Sequence, residues 1–320
     1  MVAFRRSLQR LLPDELWSLI QAQSRLSFPL RPAITNNNNQ QRVLASSSVA
    51  SFSTFKPHFN QHETTPGSAN STVDPTELSH FATLASSWWD PNGPSRLLHL
   101  MNELRHTFIS SCLSSQATAP PSQLHYLDIG CGGGIFAESA ARLSHTGSVT
   151  AIDPSPAVLS VAKAHARQDP LLVQPGRLTY INTSIEKLAE SSECRESGYD
   201  IVTIFEVLEH VSAPSTFLGS VLPHVKPGGW IVLSTIARTW TSWFVTKVMA
   251  EDVLRFVPRG THDWRKYVNE MELREWFEKR NGWGNPRTMG VLYVPGLGWR
   301  EVKGSESVGN YFFAIRKDPE

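Results

Sequence analysis

In the run Leu127-Asp128-Ile129-Gly130-Cys131-Gly132-Gly133-Gly134 an acid is followed by glycines at alternate positions, Asp-x-Gly-x-Gly-x-Gly. Such a turn lets the backbone approach a ligand with no Cβ between them. A dinucleotide fingerprint needs Gly or Ala at the sixth position of G-x-G-x-x-G. Counted from Gly130 that position is Ile135, which weakens a redox reading. A second acid, Asp153, closes the β-prone run 148–153, about 20 residues on, where nucleotide-binding α/β folds place a carboxylate for ribose hydroxyls. Asp153 equally suits a helix N-cap ahead of Pro154 and the alanine-rich stretch to Ala166. A third set is Glu206, Glu209 and His210. If Glu206 opens a helix, the other two lie three and four residues on and share its face. Two carboxylates and an imidazole so placed could hold a divalent metal, or His210 could serve as a general base. The acids could also merely complement a helix N-terminus, and spacing leaves these readings open.

These groups need elements that bring strand ends together. The glycine run follows the apolar Tyr126-Leu127 and precedes Ile135-Phe136-Ala137-Glu138, which reads as strand, tight turn, helix. Strand-like runs recur at 148–153, 178–181 and 199–205, and a fifth, at 225–235, contains the turn Pro227-Gly228-Gly229. Alternating strands and helices from about 124 to 235 are the α/β signature, with ligands expected at the carboxyl ends of the strands. Phe205 and the segment Ser184-Ile185-Glu186 fall at that edge. The apolar runs 290–294 and 311–315 suit a closing antiparallel hairpin.

An acid at the end of a strand just before the glycines resembles motif I of the class I S-adenosylmethionine (SAM) methyltransferases. That resemblance implies a Rossmann-like α/β fold with a mostly parallel seven-stranded sheet, helices on both faces and an antiparallel C-terminal hairpin. Asp128, Gly130, Gly132 and Gly134 then belong to the cofactor loop. Two outlying segments narrow it: Trp88-Trp89-Asp90-Pro91-Asn92-Gly93 and Gly260-Thr261-His262-Asp263-Trp264. With Glu206-Val207-Leu208-Glu209-His210 they closely resemble the ubiquinone biosynthesis O-methyltransferase family, over roughly residues 76 to 317. The resemblance implies methylation of ring hydroxyls on polyprenyl-dihydroxybenzoate and demethylubiquinol. It also implies that Arg105, Gly130, Asp153 and Phe205 contact SAM, and that Glu206, Glu209 and His210 bind Mg2+, with Glu206 and His210 catalytic. A phenol with a pKa near roughly 10 is mostly protonated at neutral pH, so a metal or a base that favours the phenolate meets a physical demand of this reaction. A soluble methyltransferase with another acceptor and a non-catalytic scaffold are the competing readings.

Composition bounds the rest. Asn36 to Asn39, Gln40-Gln41 and Ser46 to Ser48 give the first 75 residues a polar, low-complexity character that does not build a core. Residues 1–12 place Phe4, Leu8, Leu11 and Leu12 on one helical face beside Arg5, Arg6 and Arg10, which reads as a mitochondrial presequence despite Asp14 and Glu15. The expected organisation is a presequence and disordered segment at 1–50, a linker at 51–75 and a methyltransferase domain at 76–320. Within it, 239–268 mixes Trp240, Trp243 and Phe244 with Lys247, Arg255 and Arg259, as an insert over the site or an interfacial element on an anionic membrane would. No run is long and apolar enough to span a bilayer, so membrane contact is expected to be peripheral. The expected location is the matrix side of the mitochondrial inner membrane, within a multi-protein ubiquinone-synthesis assembly that the resemblance implies. Three cysteines without metal-ligand spacing fit a reduced compartment, and a net charge of +1 argues against a nucleic-acid substrate.

Overall fold

The computed structural model describes residues 71–191, 194–238, 267–294 and 296–319. By internal contacts the chain divides after Phe55, and every described residue belongs to the unit Lys56–Glu320. Its strands are β1 (Leu124–Ile129), β2 (Thr146–Asp153), β3 (Leu178–Asn182), β4 (Tyr199–Phe205), β5 (Val225–Ile236), β6 (Trp283–Val294), β7 (Gly298–Glu301) and β8 (Asn310–Lys317). They form one sheet in the order β3-β2-β1-β4-β5-β8-β6-β7. The first five pair in parallel, and β8, β6 and β7 add on antiparallel. The expected seven strands are eight among the described residues, because Gly298–Glu301 doubles back on β6 between it and β8. The last two long strands are therefore not joined by a simple hairpin.

Side-chain alternation divides the core between the two faces. Leu127, Ile129, Val202, Ile204, Ile231 and Leu233 face one layer, completed by α5 (Pro214–Val221) and α6 (Glu270–Glu278). Tyr126, Ile201, Trp230 and Val232 face the other. There they meet α2 (Arg96–Ser114), α3 (Ile135–Ala141) and α4 (Pro156–Ala166). Helices on both faces leave the strand ends as the open edge. The N-terminal α1 (Pro75–Leu84) differs from these: none of its residues is buried. Thr72 and Val73, expected in a linker, are packed on the domain, Thr72 buried and Val73 in an antiparallel bridge with Val211.

Candidate active site

The β1–α3 turn brings the glycine loop to the carboxyl edge, with Gly130, Gly132 and Gly134 all at positive φ. What their missing side chains make room for is protein. A Cβ on Gly130 would lie 2.5 Å from Val207, one on Gly132 or Gly133 would run into the Trp88 indole, and one on Gly134 into the Tyr180 hydroxyl. Side chains fill the Cβ directions, so packing within the protein by itself demands glycine at these positions.

Asp153 ends β2 beside this loop. Its Oδ2 accepts from the Gly132 N–H at 3.0 Å and its Oδ1 from the Ser155 N–H at 2.8 Å. Burial pushes its pKa up, against the pull of those two donors. The helix cap expected at Asp153 is instead Ser155, with Pro156 opening α4. Asp128 on β1 accepts from the Thr203 hydroxyl at 2.7 Å, while its Oδ2 has no partner. Burial lifts this carboxyl to about 7, opposed by Thr203 and by the Arg105 charge. Arg105 reaches in from α2, 4% exposed, with its guanidinium 4.8 Å from the centre of the Phe205 ring and its Nε unpartnered. Burial lowers its pKa, while the charges of Glu206 and Asp128 raise it. Phe205 itself packs edge-on to Phe136. A buried guanidinium and a buried carboxyl, each with an unmet hydrogen-bonding atom, suit the carboxylate and ammonium of an amino acid.

The acid–imidazole set lies at the end of β4. The one-faced α-helix expected from Glu206 onward does not form. Glu206 takes a left-handed φ of 56°, and only Leu208–His210 is helical, as one 3-10 turn. The three side chains accordingly find different partners. Glu206 accepts from Ser234 Oγ at 2.7 Å and Glu209 from Thr235 Oγ1 at 2.8 Å, so adjacent residues of β5 hold the two acids. His210 Nδ1 lies 3.0 Å from Glu77 Oε2 on α1. Among the described residues no three of His, Cys, Asp and Glu converge as ligands, so the metal set of Glu206, Glu209 and His210 is not assembled as expected. Burial raises the Glu209 carboxyl to about 7, and the Glu206 charge adds to it. Burial alone would lower His210, but the Glu77 hydrogen bond and the charges of Glu209, Glu77 and Glu206 outweigh it and raise the imidazole.

Glu77 escaped the sequence reading. It lies 133 positions from His210, and behind Asp74-Pro75 it reads only as an acid in a first helical turn. The N-terminal segment reaches other loops too. Glu186, after β3, accepts from Thr72 N–H and hydroxyl at 3.2 and 2.5 Å. Residues 239–266, which hold nearly all the expected insert and the run from Gly260 to Trp264, lie outside the described residues.

A family described as a methyltransferase domain matches residues 101–283. The ubiquinone biosynthesis O-methyltransferase, mitochondrial, of Candida albicans is 40% identical over 284 residues, covering 76% of this chain and 84% of the relative. That of Schizosaccharomyces pombe is 44% identical over 253 residues, covering 78% and 88%. The ubiquinone biosynthesis O-methyltransferase of Methylobacterium nodulans is 37% identical over 251 residues, covering 77% and 96%. Among solved structures, the plantazolicin methyltransferase BpumL in complex with a pentazolic desmethylPZN analog and SAH aligns with a TM-score of 0.50 at 18% identity. It covers 76% of this chain and 98% of that one, a likeness of fold.

Proposed function

The chain belongs to the ubiquinone biosynthesis O-methyltransferase family, and from that premise we propose that it moves the methyl group of SAM onto ring hydroxyls of polyprenylated catechol and quinol intermediates of ubiquinone assembly. The observation that carries the reading is the juxtaposition at the carboxyl ends of β1 and β4. Arg105 and Asp128, with unmet hydrogen-bonding atoms, adjoin a base-bearing cluster at Glu206, Glu209 and His210.

In this reading Arg105 takes the carboxylate and Asp128 the ammonium of SAM, and Asp153 takes the ribose hydroxyls beside the glycine loop. Phe205 and the turns at Gly130, Gly132 and Gly134 bound the pocket. Transfer needs an acceptor oxygen that has given up its proton, in line with the sulfonium methyl. Because a carboxylate only accepts, the bond to Glu77 puts the His210 proton on Nδ1 and leaves Nε2 free in character to receive the phenolic proton. Glu206 and Glu209, each oriented by a hydroxyl of β5, line the other side.

Mg2+ is the finer part of this reading. Its fit rests on the donor chemistry of two neighbouring carboxylates whose charges oppose each other, since Mg2+ is commonly held by one or two carboxylates with the rest of its shell from substrate and water. Glu206 and Glu209 would hold it, and His210, engaged by Glu77, would not. When bound, the ion supplies positive charge for adjacent ring oxygens. The test is methyl transfer to a short-tailed catechol with Mg2+ and after chelation. Glu206→Gln or Glu209→Gln with full turnover after chelator treatment sinks the metal.

The mitochondrial relatives and the arginine-bearing first residues support a mitochondrial address, with a leader within residues 1–50 and a catalytic domain that takes in Thr72 and Val73 as well as 76–320. No helix among the described residues is long and apolar enough to cross a membrane. Peripheral contact on the matrix face of the inner membrane, made by residues 239–268, and membership of a synthesis complex complete the proposal. Liposome flotation of the protein against a Trp243→Asp, Phe244→Asp variant tests the contact.

A further inference from the structure

The polar atoms that suit the cofactor are sealed. Arg105 and Asp128 are 4% and 3% exposed, and Asp153 is tied to the glycine loop. A ligand the size of SAM reaches them only if something moves. The described residues contain one segment that crosses this edge. Thr72 is bonded to Glu186 after β3, Ser212 N–H after β4 donates to the Thr72 carbonyl, and Glu77 reaches His210. Trp88 lies on Gly132 and Gly133 after β1, and the Trp89 indole donates to the Gly133 carbonyl at 2.9 Å. Because Thr72 touches both Glu186 and Ser212, while Trp88 and Trp89 lie on the turn after β1, the segment runs along this edge from the β4 end to the β1 end, beside the glycine loop that Asp153 holds.

Its two halves are held differently. The tryptophan end is anchored: Trp88 is buried, and Trp89 stacks on His165 at 3.4 Å between ring centres, with His165 pinned to the fully buried Glu138. The other half, 71–84, has no fully buried residue in its helix; it is held by the bonds of Thr72 and Glu77, the Val73–Val211 bridge and the half-buried Phe81, which packs beside Trp88 and edge-on to His210. Segments with little apolar burial open first.

We infer that residues 71–89 are a strap closed over the cofactor cleft, hinged at Trp88-Trp89, and that SAM and its demethylated product exchange only when the 71–84 half lifts. The inference rests on the cofactor reading above. Closure also carries Glu77 onto His210, so the strap that retains the cofactor completes the proton acceptor at the same time.

The test uses the full-length chain. Bridge partners in an antiparallel pair have Cα atoms about 4.5–5.5 Å apart, a spacing a disulfide spans. In a Cys194→Ser background, Val73→Cys with Val211→Cys should lock the strap when oxidised. Dissociation of pre-bound radiolabelled S-adenosylhomocysteine should then slow by at least about tenfold and recover on reduction. Thr72→Val with Glu186→Gln should act in the opposite sense and speed release by about tenfold, the factor a charge-assisted hydrogen bond carries. Equal release from oxidised and reduced protein overturns the strap, as does unchanged release from the loosened variant. A native chain that binds no S-adenosylhomocysteine overturns the cofactor reading and the strap with it.

Discussion

Gly133→Ala isolates the partnership between the glycine loop and Trp88. Gly133 does not have a positive φ, so backbone strain drops out and only space matters. A Cβ there would lie 2.8 Å from the Trp88 Nε1 and closer still to Cγ and Cδ1, in the rigid body of a ring whose residue is only 8% exposed. Overpacking of this kind costs about 1–3 kcal/mol. For a domain of this size that lowers Tm by about 2–12 °C. Trp88→Ala alone should cost about 3–5 kcal/mol, as deletion of a buried tryptophan does. In that background Gly133→Ala has nothing to strike, and its further cost should fall below about 0.5 kcal/mol. Urea denaturation of the four proteins closes the cycle. If Gly133→Ala is harmless in the native background, or as costly without Trp88 as with it, then Trp88 is not what requires glycine at this position.

Further outcomes follow from the same geometry. Arg105→Ala should weaken SAM binding by about tenfold to a hundredfold, as loss of a buried charge-assisted contact does, with calorimetry as the measure. Asp128 is one of two buried carboxyls, with Glu209, whose pKa is lifted to about 7. The unfolded chain gives up the Asp128 proton near pH 3.9, whereas the folded one holds it to about 7. Between those values the unfolded state binds fewer protons, so this group makes stability fall as pH rises, by up to about 1.4 kcal/mol per unit, and Asp128→Asn should remove that share of the slope and leave the share of Glu209. Thr235→Val removes the hydroxyl that orients Glu209 and should lower kcat more than it raises the KM for SAM. A raised KM with kcat unchanged would assign Thr235 to binding alone.

The strands and the glycine turn were legible because their signals are local. Unbroken apolar, β-prone runs, which β4 and the end of β5 bury along their length, and a run of glycines after an apolar segment need no knowledge of the rest of the chain. Asp153 was found, but the cap was misplaced by two residues. Asp153-Pro154 and Ser155-Pro156 both satisfy the capping rule, and the choice falls to Ser155 because the Asp153 carboxylate is held by the Gly132 N–H. Glu206 was expected to begin a helix. Its left-handed backbone, which costs a non-glycine residue about 1–3 kcal/mol, is imposed by β5, where Ser234 fixes its carboxylate. Glu77 and the role of Trp88 were out of reach, because each acts across a long stretch of chain on a partner that only the folded edge brings near.

The central claim is methyl transfer to a phenolic oxygen, and the most direct test supplies the full-length protein with methyl-labelled SAM and a short-tailed catechol analogue of the ubiquinone precursors. The account predicts label recovered as an aryl methyl ether, lost in Glu206→Gln and in His210→Ala. Tight SAM binding with no ether formed on any catechol or quinol acceptor would contradict it.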